Sequence, residues 1–221
     1  FLGGMYDYDE SRLRMLGVPY VISSSGKTVP EDTGTYPKSA LVTTDTEIES
    51  QNMIDYLCSC GHKRIAFITS RDEGLGRCHL NGYKRALEKN GLEYDEKLII
   101  RLKPAKRIYT IENGYNCTCE LLKSGVDFSC IYAISDTLAV GACRAIIDSG
   151  KRVPEDYCVA GADGQDIAEY YHPSITTLKY PRVETAQQSV RTLFDMIDRK
   201  KVVKRQILGG TLIERESTRK L

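Results

Sequence analysis

From residue 18 onward, short β-branched runs alternate with stretches of helical period, and this alternation limits the possible folds more than any other feature. Residues 18–23 and 40–44 read as strands. Asp45 is then a natural N-cap for a helix to residue 60, with Ile54, Leu57 and Cys58 on one face. A strand over 64–69 (RIAFIT) precedes a helix over about 77–90, with Leu80, Tyr83 and Leu87 inward and Gly91 as its stop. The pattern continues with a strand at 98–102, a helix over 111–124, a strand at 130–134, and a helix from an Asp136 cap to residue 149. Strands at 157–162 and 175–178 follow. Val183, Ala186, Val190, Leu193, Phe194 and Ile197 then recur at spacings of three and four, the clearest helical stripe in the chain. Residues 207–214 read as a closing strand interrupted by Gly209 and Gly210. Alternation at this spacing predicts right-handed βαβ units and an α/β fold with doubly wound parallel sheets covered on both faces.

With 221 residues the chain can bury a sizeable core as one large domain or two small ones. It has no apolar run approaching the roughly 18–20 residues of a membrane helix. The opening FLGGMYDYDE lacks the basic start and apolar stretch of a signal peptide. FLGG reads instead as the end of a strand whose partners precede it, so a truncated N-terminal subdomain is expected. A net charge of +1 argues against nucleic-acid binding by bulk electrostatics. Lys103, Lys106 and Arg107, and the run through Arg199, Lys200, Lys201, Lys204 and Arg205, read as solvated loops or helix ends.

The 8 cysteines raise a metal or disulfide alternative, with Cys58, Cys60 and His62 in one group and Cys117 and Cys119 in another. Neither group has CxxC spacing, and residues two apart on a helix point in different directions. Cys58, Cys119, Cys130, Cys143 and Cys158 fall on apolar-patterned positions, where a thiol acts as a small hydrophobe. Reduced core cysteines point to a cytoplasmic location.

Polar and aromatic residues recur just past strand carboxyl ends, the edge where open α/β sheets bind ligands. Ser23, Ser24 and Ser25 follow the first strand, and Ser70, Arg71 and Asp72 follow RIAFIT, with Arg77 and His79 opening the next helix. Tyr109, Ser135 and Asp163 occupy the corresponding places after later strands. Hydroxyls, a ring face, a base and a carboxylate suit a small polyhydroxylated or heteroaromatic ligand. Serines after strands also form turns and caps, and Asp136 reads more readily as a cap than as a contact. No GxSxG, Walker A or GxGxxG motif is present, which favours binding over catalysis; no enzyme activity, metal or cofactor is expected.

Several phrases occur in a fixed order: VPYVIS, LVTTD, GHKRIAFI, NGYKRAL, a second NGY at 113–115, SDTLAVGACRAI, VPEDYCVAGAD, SITTLKYP and LIERES. Together they resemble the effector-binding half of the lactose-repressor/galactose-repressor family of bacterial transcription regulators. The resemblance implies two periplasmic-binding-protein-like subdomains, here 1–44 with 180–205, and 45–179 with 206–221. Effector binds between such halves and alters operator DNA affinity, while DNA is read by a helix-turn-helix that precedes this region. By motif position, Asp163 matches the family's effector-binding aspartate and Tyr109 its stacking aromatic, while Ser135 and Ser24 match polar contacts. His79 stands where the family usually has a clamping arginine, with Arg77 nearby as a substitute. If His79 takes that arginine's place, affinity for an anionic effector is expected to vary between about pH 5.5 and 7.5 and that for a neutral sugar to vary little; if Arg77 reaches the ligand instead, His79 faces solvent. A homodimer is expected through Tyr170, Tyr171 and the helix after Asp136, Leu138 included. The alternative function is an extracytoplasmic sugar-binding protein of a transport system, which shares the fold.

Overall fold

The computed structural model describes residues 15, 17–23, 38–71, 74–103 and 107–221. The chain divides into two units, Phe1–Thr46 with Pro181–Gly210, and Glu47–Tyr180 with Thr211–Leu221.

In the first unit, β1 (Tyr20–Ile22), β2 (Ser39–Thr43) and β8 (Arg205–Ile207) form a parallel sheet in the order β1-β2-β8. Val42 pairs with Gln206, so residues 206–210 stay with this unit, where a crossing after residue 205 was expected. The expected strand over 207–214 is therefore two strands in two sheets, broken at Gly209 and Gly210. Helix α6 (Arg182–Ile197) packs Met196 and Leu193 on Val21, Ala40 and Val42. Its expected apolar face is not the buried one. Ser189, Thr192 and Met196 are buried, whereas Val183, Val190, Phe194 and Ile197 are exposed. The polar side can turn inward because Thr192 Oγ1 accepts a 2.9 Å hydrogen bond from Gln206 Nε2.

The second unit holds a six-stranded sheet ordered β4-β3-β5-β6-β7-β9. Its strands are β3 (Ile65–Thr69), β4 (Ile99–Arg101), β5 (Cys130–Ala133), β6 (Cys158–Asp163), β7 (Thr176–Lys179) and β9 (Thr211–Ile213). All neighbours are parallel except β7 with β9. Near-continuous burial of β3, β5 and β6 is what a parallel sheet covered on both faces requires. Helices α1 (Thr46–Ser59), α2 (Gly74–Lys89), α3 (Ile111–Lys123), α4 (Asp136–Asp148) and the short α5 (Asp166–Tyr170) supply the cover. The chain steps from β3 outward to β4, then back past β3 to β5, β6 and β7. Right-handed crossovers therefore put α2 on one face and α3, α4 and α5 on the other. The reversal lies between β3 and β5, a topological switch point.

Aromatic stacking fixes the α2 face: Phe67 of β3 lies 5.0 Å from the Tyr83 ring and 5.3 Å from that of Tyr132. On the opposite face α3 and α4 touch backbone to backbone. A Cβ on Gly141 would come within 2.0 Å of the Ile111 carbonyl oxygen, and one on Gly114 within 2.2 Å of that of Leu138. Leu138 is wholly buried in this core, which corrects its expected place at a dimer surface: it has no area left to offer a second chain. The eight cysteines are free thiols, with Cys60, Cys130, Cys143 and Cys158 buried. Among the described residues, no helix is long and apolar enough to cross a membrane, and no group of three side chains is placed to hold a metal.

The α3–α4 contact yields a stability test. Gly141→Ala should cost about 1–3 kcal/mol in chemical denaturation, since overpacking against backbone outweighs the ~1 kcal/mol alanine gains in helix propensity. Gly209, with open space around its Cβ, is the control; Gly209→Ala should stay within about 0.5 kcal/mol of the parent. Equal stability of the two variants would refute the close approach.

Candidate functional site

The carboxyl edge of the second unit's sheet is organised around the end of β6. Strand β6 ends at Asp163 with φ of 105°, followed by Gly164 at 65°. A non-glycine residue with such a φ costs on the order of 1–3 kcal/mol and persists only where its surroundings enforce it. Here three hydrogen bonds do so. Gly164 N–H donates to Thr177 Oγ1 at 3.3 Å, Gln165 N–H to Asp136 Oδ2 at 2.6 Å, and Gln165 Nε2 to Asp163 Oδ2 at 2.9 Å. Glycine is required at 164, because its φ is positive and a Cβ would meet Lys179 side-chain carbons at about 2.5 Å.

Asp136 is the residue underneath. It was expected to cap α4, but Ser135 is the cap, its Oγ accepting from Leu138 N–H at 3.3 Å. The Asp136 carboxylate turns instead into the sheet edge and accepts from Thr177 Oγ1 at 2.6 Å as well as from Gln165. It fits because residue 161 is glycine: a Cβ there would lie 2.5 Å from Asp136 Oδ1. Burial raises this carboxyl to about 6. The hydrogen bonds from Thr177 and Gln165 oppose the rise, and the Asp163 charge adds to it.

Tyr109 is 45% exposed, and its carbonyl accepts from Thr137 Oγ1 at 3.2 Å. Thr137 Oγ1 lies 3.0 Å from Ser135 Oγ, and Thr110 caps α3 immediately after the tyrosine. The hydroxyls of Thr137 and Ser135 thus tie the loop before α3 to the start of α4, next to Asp136. Tyr109, Ser135 and Asp163 are joined to one edge by this chain of contacts. Ser24 lies outside the described residues.

His79 is placed differently from the expectation. It falls on the buried stripe of α2 with Gly76, Tyr83, Ala86 and Leu87. Its Nδ1 is 3.1 Å from Ser50 Oγ of α1, and Ser50 Oγ donates to Tyr132 OH at 3.4 Å. Burial depresses its pKa to about 4, so at neutral pH it is an uncharged imidazole, and the expected titration between pH 5.5 and 7.5 is corrected. Arg77 is exposed on the same helix. Spacing could have found this, since residues 76, 79, 83, 86 and 87 share one helical face.

Two phenols missed in the sequence border the same edge. Burial raises the Tyr132 and Tyr180 hydroxyls well above their usual range, and the charges of Glu49, Asp163 and Asp136 add to both shifts. Three carboxyl groups therefore act on one neighbourhood. Tyr170 ends α5 and is 82% exposed, while Tyr171 is half-buried against the core.

His79 gives a pH prediction with a definite sign. Its folded pKa is depressed, so its contribution to stability is complete above pH 6.5 and is lost as pH falls toward 4. Between pH 7 and 4 the parent should lose on the order of 3 kcal/mol more than His79→Gln in denaturant titrations. Parallel stability–pH curves for the two proteins would contradict the buried neutral ring.

Comparison with known proteins agrees with this architecture. The periplasmic binding protein-like domain family matches residues 54–218. The HTH-type transcriptional regulator MalR of Clostridium butyricum is 40% identical over 146 residues, 66% of this chain and 42% of that protein. The chain spans about half the length of the curated relatives it matches. Among solved structures, a sugar-binding LacI-family regulator from Escherichia coli, complexed with phosphate, superposes with a TM-score of 0.81 at 27% identity. That match covers 100% of this chain and 76% of the other. The regulator CelR in complex with cellobiose gives a TM-score of 0.78 at 32% identity, covering 95% and 62% respectively. This chain belongs to the periplasmic-binding-protein-like domain family and is an effector domain of the LacI family of transcriptional regulators.

Proposed function

We propose that the chain senses a neutral sugar or closely related metabolite in the inter-subdomain cleft its family resemblance implies, and so modulates operator DNA binding. The observation that carries this reading is the presentation of Asp163 at the carboxyl end of β6, in a backbone conformation enforced by its neighbours. A carboxylate held this way can accept two hydrogen bonds from vicinal hydroxyls, and the ring of the exposed Tyr109 offers an apolar face for the C–H side of a sugar. Asp163, Asp136 and Glu49 make the edge electronegative, and His79 is uncharged at neutral pH; both disfavour an anionic ligand. Ser135, Ser24 and Arg77 are further contacts in this proposal, while His79 backs the edge from the buried face of α2. The neighbour solved with cellobiose and the sugar-binding regulator from Escherichia coli support the ligand class.

The matched relatives are transcription regulators rather than enzymes, consistent with sensing rather than catalysis. In the full regulator we propose a cytoplasmic homodimer, with Tyr170 and Tyr171 in its contact and DNA held by a helix-turn-helix. Exposed aromatic area of the Tyr170 kind is enriched at interfaces.

Calorimetry against a panel of neutral mono- and disaccharides, cellobiose among them, tests the ligand class and the site together. Asp163→Ala should weaken the tightest-binding sugar by about 1–3 kcal/mol, the scale of a lost charge-assisted hydrogen bond. Unchanged affinity would remove Asp163 from the site, and binding of sugar phosphates alone would overturn the neutral ligand.

A further inference from the structure

We infer that Asp136 is the positioning residue of this site: it touches no ligand itself but holds the turn over 163–165 in the one conformation that presents Asp163. The inference rests on reading Asp163 as an effector contact. It deepens that reading by naming what makes the contact available and what releases it.

The geometry is specific to this purpose. Asp136 is fully buried, yet both carboxylate oxygens are engaged: Oδ1 accepts from Thr177 Oγ1 and Oδ2 from the backbone N–H of Gln165, each at 2.6 Å. The same Thr177 hydroxyl accepts from Gly164 N–H, so two consecutive amides of the turn end on one side-chain pair. Two glycines make room, Gly161 beneath the carboxylate and Gly164 above Lys179. A helix cap would have used Asp136 otherwise, and Ser135 already fills that role. Without these acceptors the Gln165 and Gly164 amides lose the hydrogen bonds that hold them, and the unfavourable φ of Asp163 would relax.

The latch is also sensitive to acid. The groups facing Asp136 are Thr177 of β7, Gln165 of the turn, Asp163 of β6, and Arg215 beyond β9, with the Tyr132 and Tyr180 phenols nearby. Protonation near pH 6 removes negative charge from the acceptor of the Gln165 amide and weakens the hold. The sign for global stability is opposite. A carboxyl whose folded pKa is raised contributes stability that is present below its unfolded value of 3.8 and lost as pH rises through about 6. Acid therefore loosens the turn while relieving the burial of charge.

The test uses the ligand-free, isotope-labelled chain. Amide exchange at Gly164 and Gln165, and the three-bond HN–Hα coupling of Asp163, should report an ordered turn in the parent. In Asp136→Asn, Gln165 exchange should speed up by about tenfold or more and the Asp163 coupling should change. Asp163→Asn should leave the Gln165 amide protected. If Asp136→Asn does not fold, Thr177→Val and a pH titration of the parent provide the same reading: the Gln165 amide proton should titrate with a midpoint near 6, together with the Asp163 coupling. An unchanged turn in Asp136→Asn, or a Gln165 amide indifferent to pH between 5 and 7, would overturn the inference. A sugar that binds the parent should bind Asp136→Asn as weakly as Asp163→Asn. If no sugar binds the parent, the ligand reading fails by itself, and the exchange and coupling data still decide the role of Asp136.

Discussion

A buried carboxylate is expensive unless its oxygens are satisfied, and the sheet edge of the second unit is arranged around satisfying one. Asp136 enters at the first turn of α4, passes over the space left by Gly161, and collects a hydroxyl from β7 and an amide from the turn after β6. Three elements distant in sequence are thereby fixed to one another. The consequence is local: Asp163, which would otherwise adopt ordinary extended backbone, is held at positive φ with its carboxylate at the strand end. Ser135, Thr137 and the Tyr109 carbonyl continue the same set of contacts toward the loop before α3.

Behind this edge the packing is rigid in the places that matter. The Phe67, Tyr83 and Tyr132 stack occupies the α2 face of the sheet. The tight α3–α4 contact fixes the start of both helices, and so the positions of Tyr109 and Ser135. A polar network set on strands and helix starts holds its geometry better than one on a long loop. The charges of Glu49, Asp163 and Asp136 all act on the Tyr132 and Tyr180 phenols, beside an imidazole that burial keeps uncharged at neutral pH.

Much of this was legible in the sequence. The alternation of periods marked the parallel sheet, and Asp163 stood out by its place after an apolar strand. What was misread had specific physical causes. Ser135 and Asp136 are both good N-caps, and composition could not say that the serine caps while the aspartate turns inward. Thr177 looked like an ordinary strand threonine, since its partner lies 41 residues away. His79 stands at the family's effector-clamp position by motif, but its spacing from Tyr83 and Ala86 places it on the buried face of its helix. On α6 the apolar stripe pointed one way and the buried face another, because Thr192 could turn inward with a hydrogen bond to Gln206.

The central claim is that a neutral sugar binds at the carboxyl edge built around Asp136 and Asp163. The most direct measurement is amide chemical-shift mapping of the labelled chain titrated with the tightest-binding neutral sugar. Shifts concentrated at Tyr109, Ser135 and residues 163–165 are the predicted result. Shifts confined to the opposite, amino-terminal ends of β3, β5 and β6, with residues 163–165 unmoved, would contradict it.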